Sequence, residues 1–202
     1  SKLSKITVKG KTTAWNTIKE CTLKYTKAPS GNPVPFLESV TVSGDGKYTM
    51  AYHHGNTPYP YHGTHGIDHW GYYNNIETYD GRNYFPSSTT NDNNIETITG
   101  TTRNPDSLGS MKSLLTEIIY PTGGKTTFEY ESHRYSTYVT RDYTNDGCPY
   151  WARTTEKRAG GMRIRKITDH DDKGGTFVRE FRYNDGNGSS GNLLNYPRYH
   201  SS

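Results

Sequence analysis

Aliphatic residues are scarce in this chain. Hydrophobic residues fill only 30% of its 202 positions, and mean hydropathy is −0.97. A globular domain usually has apolar residues at close to half of its positions. No apolar run approaches the ~20 residues of a membrane-spanning helix, and no apolar leader core follows Ser1. Membrane insertion of this segment is therefore not expected. There are two cysteines, Cys21 and Cys148. They permit a single intramolecular bridge, and the sequence leaves open whether it forms. A sustained 3.6-residue apolar period is also missing. That excludes long amphipathic helices and leaves Thr13 to Glu20 and Ser107 to Leu115 as short helical candidates.

The motifs of common chemistries are missing too. No G-x-S-x-G elbow is present, Cys148 lacks a His/Asn context, and no Gly-rich phosphate loop precedes a helix. The chain is read as not an enzyme, with no cofactor. Nor is there a concentrated basic face. The net charge is +4 and the pI near 8.9, with the charges interspersed. The densest basic stretch, Arg153, Lys157, Arg158, Arg163, Arg165 and Lys166, reads as a solvated strand and loop. No nucleic-acid partner is expected.

What the chain does have is aromatic residues and repeated hairpins. Aromatics make up 13% of it and include 18 tyrosines, which can line a sheet face while their hydroxyls stay in water. Three stretches share one plan: LESVTVSGDGKYTMAY (37–52), LLTEIIYPTGGKTTFEY (114–130) and MRIRKITDHDDKGGTFVREFRY (162–183). Each is a β-branched run, a turn rich in Gly or Asp, and a second run ending on an aromatic, which is a hairpin signal. Ile6-Thr7-Val8 and Cys21 to Tyr25 fit a fourth hairpin. Period-two alternation places Val40 with Val42, then Tyr48 with Met50 and Tyr52 on another face, and Phe177 with Arg179, Phe181 and Tyr183. The fold class is all-β: repeated antiparallel hairpins forming a curved or twisted sheet, a partial shell or open barrel, with long irregular loops. It is read as one domain over 1–202. Residues 53–113 form a His- and Tyr-rich insertion, and 131–161 a second loop region.

Loops of this length usually carry function, so the candidate sites fall there. His62-x2-His65-x3-His69 has metal-like spacing for neutral imidazole ligands; surface and turn histidines are the alternative. Asp169-x-Asp171-Asp172 resembles a calcium loop, but Lys173 falls where an oxygen ligand belongs, so turn chemistry is favoured. Trp70, Tyr72 and Tyr73 beside Asp68 suit a sugar ring, with its apolar face and hydroxyl edge. The competing role for these aromatics is packing, with Trp70 buried to anchor a long loop that has few aliphatics.

Three pieces of the sequence resemble a known family. They are Gly66-Ile67-Asp68-His69-Trp70-Gly71-Tyr72-Tyr73-Asn74, then Leu115 to Gly124 followed by Phe128-Glu129-Tyr130-Glu131, then Gly160 to Asp169. In order and spacing they resemble the large YD-repeat (Rhs-like) secreted and cell-surface bacterial proteins. The YD dipeptide itself is only approximated, at Tyr183-Asn184-Asp185. The resemblance implies stacked hairpins within a much longer chain, and neighbouring repeats of the same parent as partners. It also implies a secreted or cell-surface location, and carries no catalytic residues over. The expected role is a non-catalytic structural and interaction segment; the alternative is a carbohydrate-binding surface module, with a glycan or cell-surface partner.

Overall fold

The computed structural model describes residues 2–26, 35–53, 66–76, 102–141, 147–184, 186 and 188–195. Its elements, in chain order, are β1 (Lys5–Lys11), β2 (Trp15–Tyr25), β3 (Leu37–Val42), β4 (Gly46–Tyr52), α1 (Ser107–Met111), β5 (Leu115–Ile119), β6 (Lys125–Arg141), β7 (Pro149–His170), β8 (Thr176–Glu180) and β9 (Asn192–Leu193). The sheet order is β1-β2-β3-β4-β5-β6-β7-β8, an antiparallel meander, with β9 pairing parallel to β6. Sequential strands are neighbours throughout, as local hairpin connections dictate. The sheet does not close, since β1 and β8 sit at opposite ends of that order.

The expectation of an all-β fold built from four hairpins holds, and the three repeated stretches are β3–β4, β5–β6 and β7–β8. Two expectations about these elements are corrected. Thr13 to Glu20 is not a helix: from Trp15 on it is β2, whose β-branched residues pair with β1. Of residues 131–161, expected as a loop region, 131–141 complete β6 and 149–161 belong to β7. The chain comprises two compact units. One comprises Ser1–His62, Lys112–Glu129 and Arg165–Glu180; the other comprises Gly63–Met111, Tyr130–Ile164 and Phe181–Ser202. Of the helix expected over Ser107 to Leu115, only α1 (Ser107–Met111) forms, capped by the Asp106 carboxylate, which accepts the Gly109 N–H at 2.6 Å, and Leu115 opens β5.

In the first unit, register decides which side chains share a face. Directly opposed residues of an antiparallel pair point the same way, and so do residues two apart. The pairs Ile6↔Cys21, Cys21↔Val42, Leu23↔Val40, Val40↔Tyr48 and Met50↔Ile118 therefore form one continuous apolar face. Val40 and Tyr48 share that face rather than lying on separate ones. The other face carries Thr7, Glu20, Thr22, Ser39, Thr41, Thr49 and Glu117. In the second unit, β9 is held on β6 by Ser136 Oγ donating to the Ser189 carbonyl at 2.5 Å, and by Ser189 Oγ donating to the Arg134 carbonyl at 2.8 Å. Arg163 bridges Glu131 at 2.8 Å and lies 4.0 Å from the Tyr183 ring centroid. Tyr183 was expected in phase with Phe177. Instead, β8 stops at Glu180, and the Tyr183 hydroxyl donates to the Ile164 carbonyl at 2.8 Å.

Full burial of apolar side chains is rare. Among the described residues Tyr135 alone reaches it, while Ser39, Asp68, Asn74 and Arg103 are buried polar groups. The sheet faces are thus lined by half-buried tyrosines and β-branched residues, as the low aliphatic content requires. Cys21 is half-buried and Cys148 exposed, and both remain thiols.

Candidate functional site

The stretch expected to carry function, Asp68 to Tyr73, is a tight turn organised by a carboxylate. Ile67 and Tyr73 form an antiparallel bridge, and the Asp68 N–H donates to the Tyr72 carbonyl at 2.7 Å. Asp68 Oδ1 accepts the backbone N–H of Trp70 at 2.8 Å and of Tyr72 at 3.0 Å. A short carboxylate at this position satisfies amides that the turn cannot pair otherwise. Asp68 is only 2% exposed, and its Oδ2 has no hydrogen-bond partner among the described residues. Burial raises its pKa above the ordinary carboxylate value, outweighing the opposing pull of the Tyr72 and Trp70 amides and the neighbouring His69.

Two residues from beyond the turn complete it. Arg103, 4% exposed, donates Nη1 to the Ile67 carbonyl at 2.8 Å, and its own carbonyl accepts the His69 N–H at 3.1 Å. Asn74, also buried, donates Nδ2 to the Thr102 carbonyl at 2.8 Å. Helix α1 seats on the same turn through Gly109: a Cβ there would lie 2.5 Å from the Tyr73 carbonyl oxygen. The aromatic residues rest on a Gly-Gly pair in β7. A Cβ on Gly160 would fall 2.6 Å from Asp68 Oδ2 and 2.7 Å from the Trp70 Cβ. A Cβ on Gly161, whose φ is +82°, would fall 2.6 Å from the Tyr72 ring. Only glycine fits under this turn, on grounds of space at Gly160 and of backbone as well at Gly161.

The expected site residues are therefore brought together, with different roles. Trp70 is half-buried, not the buried anchor expected of it; the buried centre is Asp68. Tyr73 is half-buried and Tyr72 is 48% exposed. His69 packs edge-on to Trp70, ring centroids 5.9 Å apart, and burial lowers its pKa; Arg103 adds to that effect while Asp68 opposes it. His62 and His65, the other two members of the metal candidate, lie outside the described residues. Among the described residues no group of three His, Cys, Asp or Glu side chains could hold a metal ion. Sequence reasoning missed Asn74, Arg103 and the supporting role of Gly160 and Gly161; the glycine pair inside a strand-like run was the available signal.

The calcium candidate lies in the first unit, where a cleft of about 440 Å³ is lined by Tyr120, Thr122, Asp169, His170, Asp172 and Phe177 among others. Its carboxylates serve the sheet and the turn. Asp171 Oδ1 accepts the N–H of Lys173 at 2.9 Å and of Gly175 at 2.6 Å. Asp169 accepts the Thr126 hydroxyl at 2.5 Å and Arg179 Nη2 at 2.7 Å, and these contacts hold its pKa below the usual carboxylate value, Thr126 contributing most. Tyr120 and Thr126 extend this cross-strand chain at 3.0 Å.

No family model, curated protein or solved structure matches the chain.

Proposed function

We propose that this chain is a non-catalytic structural and interaction segment of a large YD-repeat-like protein, secreted or displayed on a bacterial surface, and that it works by packing against neighbouring hairpins of the same parent. The observation that carries this reading is β8. In the other repeated hairpins the second strand, β4 or β6, pairs with the first strand of the hairpin that follows. Strand β8 ends that order with every residue exposed, including Phe177 at 63% and Val178 at 45%. An edge with free N–H and C=O groups and apolar side chains is a template for one more strand. The test is amide exchange at Phe177 to Glu180 in this chain and in its longer parent. Protection that appears only in the parent is the expected result; equal exchange in both would remove the reading.

The carbohydrate alternative keeps one supporting observation: the exposed Tyr72 ring beside Trp70. Asp68 is taken up by its own turn and no longer belongs to that reading. A glycan array with wild type, Tyr72→Ala and Trp70→Ala tests it. Binding lost in folded variants would support it, and a blank array would count against it.

A further inference from the structure

The β1–β2 hairpin differs from the rest of the sheet in charge. Residues 2–25 hold six lysines (Lys2, Lys5, Lys9, Lys11, Lys19, Lys24) against one acidic residue, Glu20. Its two faces are unlike. Along β1, alternation puts Lys5, Lys9 and Lys11 on one side and Ile6 and Val8 on the other. The register slips between Val8 and Lys9, so that Ile18 is the extra residue of a bulge. The Ile18 side chain lies against Gly10, where a Cβ would be 2.5 Å from Cδ1, and so on the aliphatic side. Trp15, next to the turn, pairs with Lys11, whose ammonium is 6.0 Å from its ring centroid, and so shares the lysine side, while Lys19, opposite Val8, stands on the aliphatic side.

The large apolar side chains of the hairpin remain substantially exposed: Ile6 is 46% exposed, Val8 51% and Ile18 70% on the aliphatic side, and Trp15 65% on the other. Only two of the lysines are ion-paired there, Lys5 with Glu20 at 2.8 Å and Lys19 with Asp45 at 2.5 Å. Lys9 and Lys11 are exposed.

We infer that the β1–β2 hairpin docks on an anionic lipid surface, with its aliphatic side against the acyl boundary and its lysines attracting the headgroups. The charge points to an anionic partner. The exposed Ile18, Ile6 and Val8 choose lipid over a soluble polyanion, which offers no apolar medium. Trp15, at the hairpin tip on the lysine side, reaches the headgroup level beside the turn, where amphipathic rings concentrate. A single sheet is thin enough for lysines on its far face to remain near one Debye length, about 8 Å at physiological salt, from the lipid charges. Such docking lies along the surface and spans nothing. It uses the faces of the hairpin and leaves the hydrogen-bonding edge of β1 out of the contact.

The test is co-sedimentation of the whole chain with phosphatidylcholine vesicles, with and without phosphatidylserine. Binding is expected only to the serine-containing vesicles, weakening as salt rises, with a blue shift of tryptophan emission. Lys9→Gln with Lys11→Gln should cost roughly thirtyfold in affinity, at about fivefold per lysine. Ile18→Gln, at an exposed bulge, should also weaken binding several-fold while the circular dichroism spectrum is unchanged. Failure of the wild type to sediment with serine-containing vesicles overturns the inference. So does binding that Ile18→Gln leaves intact and dextran sulfate competes away, which would make the hairpin a general polyanion site. The salt series and emission shift need no variant, so the outcome does not depend on any variant folding.

Discussion

Asp68 is a carboxylate with its charge out of water, two amides on one oxygen and none on the other. Its raised folded pKa fixes the sign of its effect. The stabilising share of the protonated form is full below the unfolded value of 3.8 and is lost as pH rises through the raised folded value. Asp68→Asn keeps the Oδ1 acceptor and removes the charge. The variant is expected to melt higher than wild type at pH 7, and this gain should shrink towards zero when both are melted near pH 3.5. His69 runs the other way: its share is present above 6.5 and is lost as pH falls towards its lowered folded value. Comparing both chains at each pH therefore isolates the carboxylate. A second expectation concerns Gly161→Ala, which forces a side chain to a φ of +82° and into the Tyr72 ring. It should cost about 1–3 kcal/mol, read by chemical denaturation, and raise amide exchange at Trp70 and Tyr72.

At the scale of elements, the β7–β8 turn offers the clearest choice between metal and backbone chemistry. If Asp171 is there to hold the Lys173 and Gly175 amides, Asp171→Ala should cost roughly 1 kcal/mol. Millimolar calcium should leave the wild-type melting curve where it is; a calcium-dependent rise would restore the ligand reading. The hairpins themselves were legible because Gly- and Asp-rich turns sit between β-branched runs, as in Val40-Thr41-Val42 and Ile118-Ile119. The extent of β6 and β7 was not. Residues such as Thr154, Thr155, Glu156 and Lys157 are polar on both faces, and Arg134 pairs with Glu156 across the strands, so no apolar period marks them. The Asp68 turn was half legible: sequence brought out Asp68, Trp70 and Tyr72 as a group. It gave no sign of Arg103, more than thirty residues away, because a donor to a backbone carbonyl leaves no spacing to read.

For the molecule as a whole, the two ends of the sheet order set its behaviour in solution. Strand β1 guards its edge with lysines at positions 5, 9 and 11, a common protection against edge pairing. Strand β8 offers Phe177 and Val178 beside Arg179, which is paired with Asp169, and Glu180. Concentration-dependent self-association through β8 is therefore expected in this chain, and Val178→Lys should reduce it several-fold in sedimentation velocity. A wild type that stays monomeric at high concentration would show that β8 is not the adhesive edge described above.

Neither compact unit is continuous in sequence, and this sets an order of events during synthesis. Strand β4 ends at Tyr52 and its partner β5 begins at Leu115, so a ribosome must make 62 further residues before β4 can be covered. The first unit still lacks Arg165–Glu180 when most of the second has emerged, and the second lacks Phe181–Ser202 until the first is complete. Each unit must hold an unfinished sheet while the other is being made. The β1–β4 meander, with its local hairpin turns, is the one part able to form early and wait. A nascent-chain series stalled at successive lengths should show protease resistance appearing first in β1–β4 and elsewhere only after residue 180.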